Sequence, residues 1–237
     1  MLITRIPLPT LFNFTPGINH ARDALVWVSN QKTTHIEDIA YCLIGLLGIP
    51  FLIAYSEGNM AFCRLQVEIL QHSHDVGLFA WTGQPLGYNS MLAEGPQCFS
   101  ESSRQSHLQL LLMSKPQTVT NVFNPTYAFT NYELRIPLSI YSVRSLEVLD
   151  APSFSFMLQV EKLGDIHAQF IIEWPNLKDY HHLKIALLVD LVAEKSPASI
   201  AILLGCKDGR YKRIPTKKHI ILSHPTELTA PQMIFIE

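Results

Sequence analysis

The chain has 237 residues, 48% of them hydrophobic and 16% charged, enough to bury the core of one large domain or two small ones. Its formal net charge of −2 excludes the strongly basic balance that marks an obligatory nucleic-acid or acidic-membrane partner. Fifteen prolines against eleven glycines suggest many sharp connections and edge-strand stops, the habit of a β-rich chain rather than a helical bundle.

Residues 1–26 are expected to form an irregular segment, with Pro7, Pro9, Pro16 and Gly17. Met1 to Gly17 lack the continuous apolar stretch that a signal peptide needs. Leu25-Val26-Trp27-Val28 is a short apolar run suited to packing on the next segment of chain. Residues 27–76 are expected to be a helical region. Thr34-His35-Ile36-Glu37 fits a capping box, with Thr34 accepting from the third helical amide and Glu37 reaching back to Thr34. Ile36, Ile39, Ala40, Leu43, Ile44 and Leu47 then recur at helical spacing, and Gly48 with Pro50 ends the helix. The apolar stretch from Ile39 to Tyr55 is too short for a comfortable membrane span and is broken by Gly45, Gly48 and Pro50, so no span is expected. A second helix is predicted from about Asn59 to His72. Its apolar stripe is Ala61, Phe62, Leu65, Ile69 and Leu70, with Arg64, Gln66, Glu68 and Gln71 on the wetter side.

Residues 77–237 are expected to be β-rich. Gly77 to Trp81 reads as a strand, His107 to Met113 as strand or short helix, and Thr118 to Phe123 as a strand. Tyr132 to Ile140 alternates, with Leu134, Ile136, Leu138 and Ile140 on one face, and Pro137 points to an edge or a bulge. Phe154 to Val160, His167 to Trp174, Leu183 to Val192 and Ser199 to Cys206 come next. Tyr211 to Ile214, His219 to Leu222 and Met233 to Ile236 are weaker candidates. The fold class implied is α+β: an N-terminal helical pair packed on a mainly antiparallel sandwich or barrel-like region.

Few residues offer chemistry. Cys42, Cys63, Cys98 and Cys206 are far apart with no CxxC pair, so neither a zinc site nor a disulfide framework is expected, and the compartment is expected to be reducing. Glu37 and Asp38 are consecutive on a helix, about 100° apart, and suit the helix start better than an acid/base pair. Tyr55, Glu57 and Gly58 lie on the interhelical loop, where either a partner contact or a helix start explains them. His72, His74 and Asp75 sit at a helix end without any flanking metal motif. His181-His182 beside Asp179 reads as a solvated turn. Lys207, Arg210, Lys212, Arg213, Lys217 and Lys218 form the only basic cluster. A solvated hairpin turning at Asp208-Gly209 explains it more simply than phosphate binding. No GxSxG, Walker A, GxGxxG or Cys/His signature is present. No catalytic residue, cofactor or metal is therefore assigned.

Several motifs in order resemble one family. Lys32-Thr33-Thr34-His35-Ile36-Glu37-Asp38-Ile39-Ala40-Tyr41-Cys42-Leu43-Ile44-Gly45 resembles K-T-T-R-x-E-D-x-A-Y-x-L-x-G, the pattern just downstream of the HET domain in fungal heterokaryon-incompatibility proteins. Tyr55-Ser56-Glu57-Gly58 resembles Y-G-E-G, and Ala61 to Ile69 resembles A-F-x-R-L-Q-x-E-I. Ser73 and Asp75, then Phe79-Ala80-Trp81, match S-x-D and F-A-W. Leu92-Ala93 with Pro96 and Phe99 resembles L-A-x-x-P-x-x-F. Thr130 to Ile136 is more weakly similar to T-N-x-G-L-R-I. The strong part runs from Trp27 to Phe99. His35 stands where the pattern has Arg, and Ser56 and Glu133 stand where it has Gly.

The resemblance implies a role in fungal non-self recognition and programmed cell death. The HET domain, similar to Toll/interleukin-1-receptor domains, carries the effector role, and the 26 residues before Trp27 are too few to contain it. The expectation is a cytoplasmic, non-enzymatic regulatory or interaction module whose partner is a HET domain or another protein, in cis or in trans. The alternatives are an NAD- or nucleotide-cleaving enzyme, by analogy with the missing domain, and a truncated, inactive member. Tyr41, Tyr55, Glu57, Arg64, Gln66 and Glu68 are the candidate partner-binding residues, because packing a core does not require their polar groups.

Overall fold

The computed structural model describes residues 12, 14–100, 127–130, 133–150, 153–171, 177, 180–191, 198–207, 209–223 and 229–237. The architecture is α+β: a helical N-terminal part packed on a large, mainly antiparallel β region.

Helix α1 (Ala21–Val28) begins inside the stretch expected to be irregular, runs two residues into the expected helical region, and buries Ala21, Ala24, Leu25, Trp27 and Val28. Helix α2 (Asp38–Leu47) buries Ala40, Leu43 and Leu47, and ends at Gly48 in the left-handed conformation (φ 62°). Glycine carries no Cβ penalty there. Helix α3 (Met60–His72) buries the predicted stripe of Ala61, Phe62, Leu65, Ile69 and Leu70, and Gln66 as well. α2 packs on both α1 and α3. The capping box does not form. The helix begins at Asp38, its Ncap Glu37 makes no side-chain cap, and the Glu37 carboxylate instead accepts the Gly58 N–H at 3.0 Å. Long-range fastening of the next loop wins over local capping.

Gly77 to Trp81 is not a strand. Val76–Phe79 make a 3-10 turn started by Asp75, whose side chain accepts the Gly77 N–H at 2.8 Å. Strands β1 (Pro85–Leu86) and β2 (Asn89–Ala93) form a small hairpin, and a further 3-10 turn covers Pro96–Phe99. The candidates at His107 to Met113 and Thr118 to Phe123 lie outside the described residues.

The remaining strands are β3 (Ala128–Phe129), β4 (Leu134–Asp150), β5 (Ser155–Val160), β6 (Gly164–Gln169), β7 (His182–Leu191), β8 (Ala198–Lys207), β9 (Arg210–Ile214), β10 (Ile220–Ser223) and β11 (Gln232–Ile236). Their pairing closes on itself: β4 with β11, β11 parallel to β9, β9 with β8, β8 with β7, and β7 back to β4. Pro137 stands opposite Met233 in the β4–β11 ladder, so it is not on an outer strand, and on its other edge it falls between the part of β4 paired with β3 and the part paired with β7.

The middle strands are apolar on both faces. Leu134, Ile136 and Leu138 of β4, Ala186 and Leu188 of β7, and Ile202 and Leu204 of β8 join the core made by the helices. Tyr141, Ile185, Leu187, Ala201 and Leu203 look the other way, into a second core closed by Phe156 and Leu158 of β5 and Ile166 and Ala168 of β6. The hairpin of β8 and β9 turns through Gly209 at φ 78°.

One buried cation joins the helical part to the sheet. Arg213 of β9 is 5% exposed. Its Nη1 donates to the Phe79 carbonyl at 2.7 Å, its Nη2 donates to the Trp81 carbonyl, and its guanidinium lies 3.6 Å from the centre of the Trp81 ring. Burial pushes its pKa down to about 9, which leaves it a cation at neutral pH. His219 completes the set, with Nε2 3.2 Å from the Ala80 carbonyl. Three consecutive carbonyls are thus read by two side chains from the sheet side.

Gly205 of β8 lies against Tyr180, and a Cβ there would run into the aromatic ring. Gly205→Ala is expected to lower stability by about 1–3 kcal/mol, as overpacking does, and Tyr180→Leu in the same chain should recover part of it. Denaturant midpoints of the single and double variants check this.

Candidate functional site in the loop between α2 and α3

The segment 48–59 leaves α2 at Gly48 and enters α3 at Met60. Side chains of the two helices hold its backbone. The Tyr41 hydroxyl accepts the Ala54 N–H at 3.1 Å and lies within hydrogen-bond reach of the Ala54 carbonyl and of Glu57 Oε1, the latter at 2.8 Å. With a single O–H proton it donates to one of these at a time. Arg64 forks onto Glu57, Nε donating to Oε2 at 2.8 Å and Nη2 to Oε1. Nη2 also donates to the Leu52 carbonyl at 2.8 Å. Its guanidinium stands 4.5 Å from the centre of the Phe51 ring. Glu37 fastens the far end of the loop at Gly58.

The electrostatics follow from these contacts. The Arg64 hydrogen bond, with help from Tyr41 and against partial burial, holds the Glu57 carboxyl below the usual carboxylate range. Backbone N–H donors, its own first and then that of Gly58, do the same for Glu37. Burial first, and then the bond to Glu57, pushes the Tyr41 phenol up. Lowered carboxylate pKa values add stability at neutral pH that is lost as pH falls through the carboxylate range.

The candidate residues separate into two groups. Tyr41, Tyr55, Glu57 and Arg64 come together around the loop. Tyr55 is 65% exposed, yet its ring meets Tyr41 edge-on at 5.6 Å and His35 at 6.3 Å. Gln66 is elsewhere and is buried rather than wet. Its Nε2 donates to the Ala93 carbonyl and its Oε1 accepts the Ala93 N–H, both at 2.9 Å, so it ties α3 to β2 as a peptide neighbour would. Glu68 lies one turn before His72 and pairs with it at 3.4 Å. The polar groups of Tyr41, Glu57, Arg64, Gln66 and Glu68, which core packing left unexplained, are thus engaged within the chain.

Large apolar side chains stand exposed on the loop and just before α2. Leu52 is 74% exposed, Ile53 54% and Ile36 52%. Ile36 does not join the buried stripe, because it precedes the helix. Sequence periodicity assigns Ile36 to packing and is silent on Leu52 and Ile53. Only the position of the helix start and of the loop fastenings reveals all three as surface. Met60 and Tyr88 are also exposed, and the Tyr88 hydroxyl lies 3.8 Å from the Met60 sulfur.

The other candidates do not assemble. The Glu37 carboxylate turns away to Gly58, so it forms no pair with Asp38. Among the described residues no group of three His, Cys, Asp or Glu side chains is placed to hold a metal. No described helix is long and apolar enough to cross a membrane. The basic cluster is dispersed: Arg210 and Lys212 pair with Glu237, Lys217 reaches Ser153 and the Phe154 ring, and Arg213 is inside. No family model, curated protein or solved structure matches this chain.

Ser56 holds φ 72° at the position where the resembled pattern has glycine. A left-handed residue other than glycine costs roughly 1–2 kcal/mol. Ser56→Gly should therefore leave stability unchanged or raised by up to about 1 kcal/mol, and Ser56→Val should lower it, as thermal melts will show. Gln66→Ala strands a buried N–H and a buried carbonyl and should cost about 1–3 kcal/mol for each. Glu68→Ala should stay within about 0.5 kcal/mol of wild type.

Proposed function

We propose that the chain is a non-enzymatic interaction module related to fungal heterokaryon incompatibility, acting in the cytoplasm. It docks a HET domain, in cis or in trans, through the apolar tip of Ile36, Leu52, Ile53 and Tyr55. The carrying observation is that these four large side chains are each more than half exposed, three of them on a loop fastened at the Leu52 carbonyl, the Ala54 and Gly58 N–H groups and the Glu57 carboxylate, and Ile36 just before α2. Burying such side chains on a partner contributes hydrophobic free energy. Holding them rigid beforehand lowers the ordering cost of association. The motifs from Lys32 to Ile69, with the setting they imply, support the choice of partner. In the absence of a partner the same tip favours self-association.

Co-precipitation with a related HET domain tests the reading. Leu52→Asp and Ile53→Asp should abolish binding at an unchanged melting temperature. Leu43→Ala, a buried large-to-small change, should cost about 2–5 kcal/mol of stability and still bind at temperatures where it is folded. Normal binding by both aspartate variants would remove the tip from the interface. Purified chain incubated with NAD should leave it intact. Turnover that disappears on mutating Glu37 or Glu57 would replace this reading with an enzymatic one.

A further inference from the structure

The joint between the helical part and the sheet contains a titratable ring in an unusual position. His219 directs Nε2 to the Ala80 carbonyl, so the neutral ring carries its proton on Nε2 and leaves Nδ1 as an acceptor. The ring as a whole is half-buried, but Nδ1 is sealed from solvent and meets no hydrogen-bond partner among the described residues. The groups around it are of one sign. Arg213 of β9 binds the carbonyls on either side of Ala80. Cys98, from the 3-10 turn, lies close enough to Arg213 to influence it, and its thiol is pushed up by burial and so stays uncharged. Lys217 and Lys218 directly precede His219 in sequence and are exposed, Lys217 turning to Ser153. No carboxylate of a described residue figures among the groups that shift His219.

We propose that His219 makes this joint acid-sensitive: a second ring proton on the sealed Nδ1 would find no acceptor among the described residues and would set a cation beside Arg213, loosening the segment Phe79–Trp81 from the sheet. Burial first, and Arg213 as well, hold the imidazole below its ordinary value of 6.5, against the Ala80 bond that raises it. Above the ordinary value both folded and unfolded rings are neutral and the joint is intact. As pH falls through that value the unfolded chain takes up a proton that the folded chain declines, and stability drops until the folded ring protonates too. Thr82 and Gly83, whose N–H groups bond to the Cys98 and Thr216 carbonyls at 3.0 Å, report the joint locally.

The test is an NMR titration of the His219 ring in the full chain, joined to hydrogen-exchange protection of the Thr82 and Gly83 amides from about pH 7.5 to about pH 5. His219→Gln keeps a donor for Ala80 and removes the titration. The wild-type ring should titrate below 6.5. Its Thr82 and Gly83 protection should fall with acid by as much as about tenfold per pH unit, and this acid loss should be absent in His219→Gln. A His219 midpoint at or above the ordinary value, or the same acid loss of protection in both proteins, overturns the proposal. If His219→Gln fails to fold, the wild-type ring titration alone decides.

Discussion

The structure depends on strands that are apolar on both faces. Ile185, Ala186, Leu187 and Leu188 of β7, and Ile200 through Leu204 of β8, are all buried. Successive strand residues point to opposite faces, so such runs demand cover on each side. β5 and β6 with β10 close one face, and the helices close the other. The helical part is therefore half of the core, and its motifs first have to hold it in place over the sheet.

That task is met by polar groups where one would expect apolar ones. Packing alone is non-directional and leaves α1 to α3 free to slide over the sheet. Arg213 fixes the position by donating to two specified carbonyls and stacking on Trp81. Gln66 ties α3 to β2 by completing the backbone bonds of Ala93, and β2 is held to the sheet where the Ser90 N–H donates to the Glu237 carbonyl and the Ser90 Oγ accepts the Arg213 N–H. Buried polar groups are costly when unpaired, so misplacing the helices would forfeit these bonds and leave charges and carbonyls bare. His219 is the one member of the set whose bonding is incomplete on one side, and that makes the joint responsive where the others are fixed.

Much of the fold was legible in sequence. β5 and β7 through β11 fall close to where alternation or apolar runs place them, β4 starts as expected but runs on to Asp150, β6 begins at Gly164 ahead of the expected His167, and α3 runs as its stripe predicts. What escaped notice has a common cause. Gly77 to Trp81 looks like a strand by composition, but Asp75 starts a 3-10 turn there, and its carbonyls serve Arg213. Thr34 and Glu37 have capping-box spacing, yet Glu37 serves the loop 21 residues on. Gln66 looks like a surface residue at helical spacing and is a buried peptide mimic. For Glu37 and Gln66 a contact distant in sequence decided the outcome, and for Gly77 a side-chain cap two residues away did; local periodicity carries no information on either.

The same distinction shows how the resembled motif is used here. Tyr41, Glu57, Arg64 and Gln66 are its most specific polar letters, and each is engaged within the chain. Glu37 belongs with them through Gly58. At Ser56, where the resembled pattern has glycine, the backbone is left-handed, a conformation glycine adopts without strain. The motif therefore encodes a loop geometry. The loop's exposed side chains Leu52 and Ile53 fall between the motif blocks, at positions the pattern does not specify. Within this chain a fastened frame thus carries exposed apolar side chains, and changing such a side chain can alter an affinity without disturbing the frame.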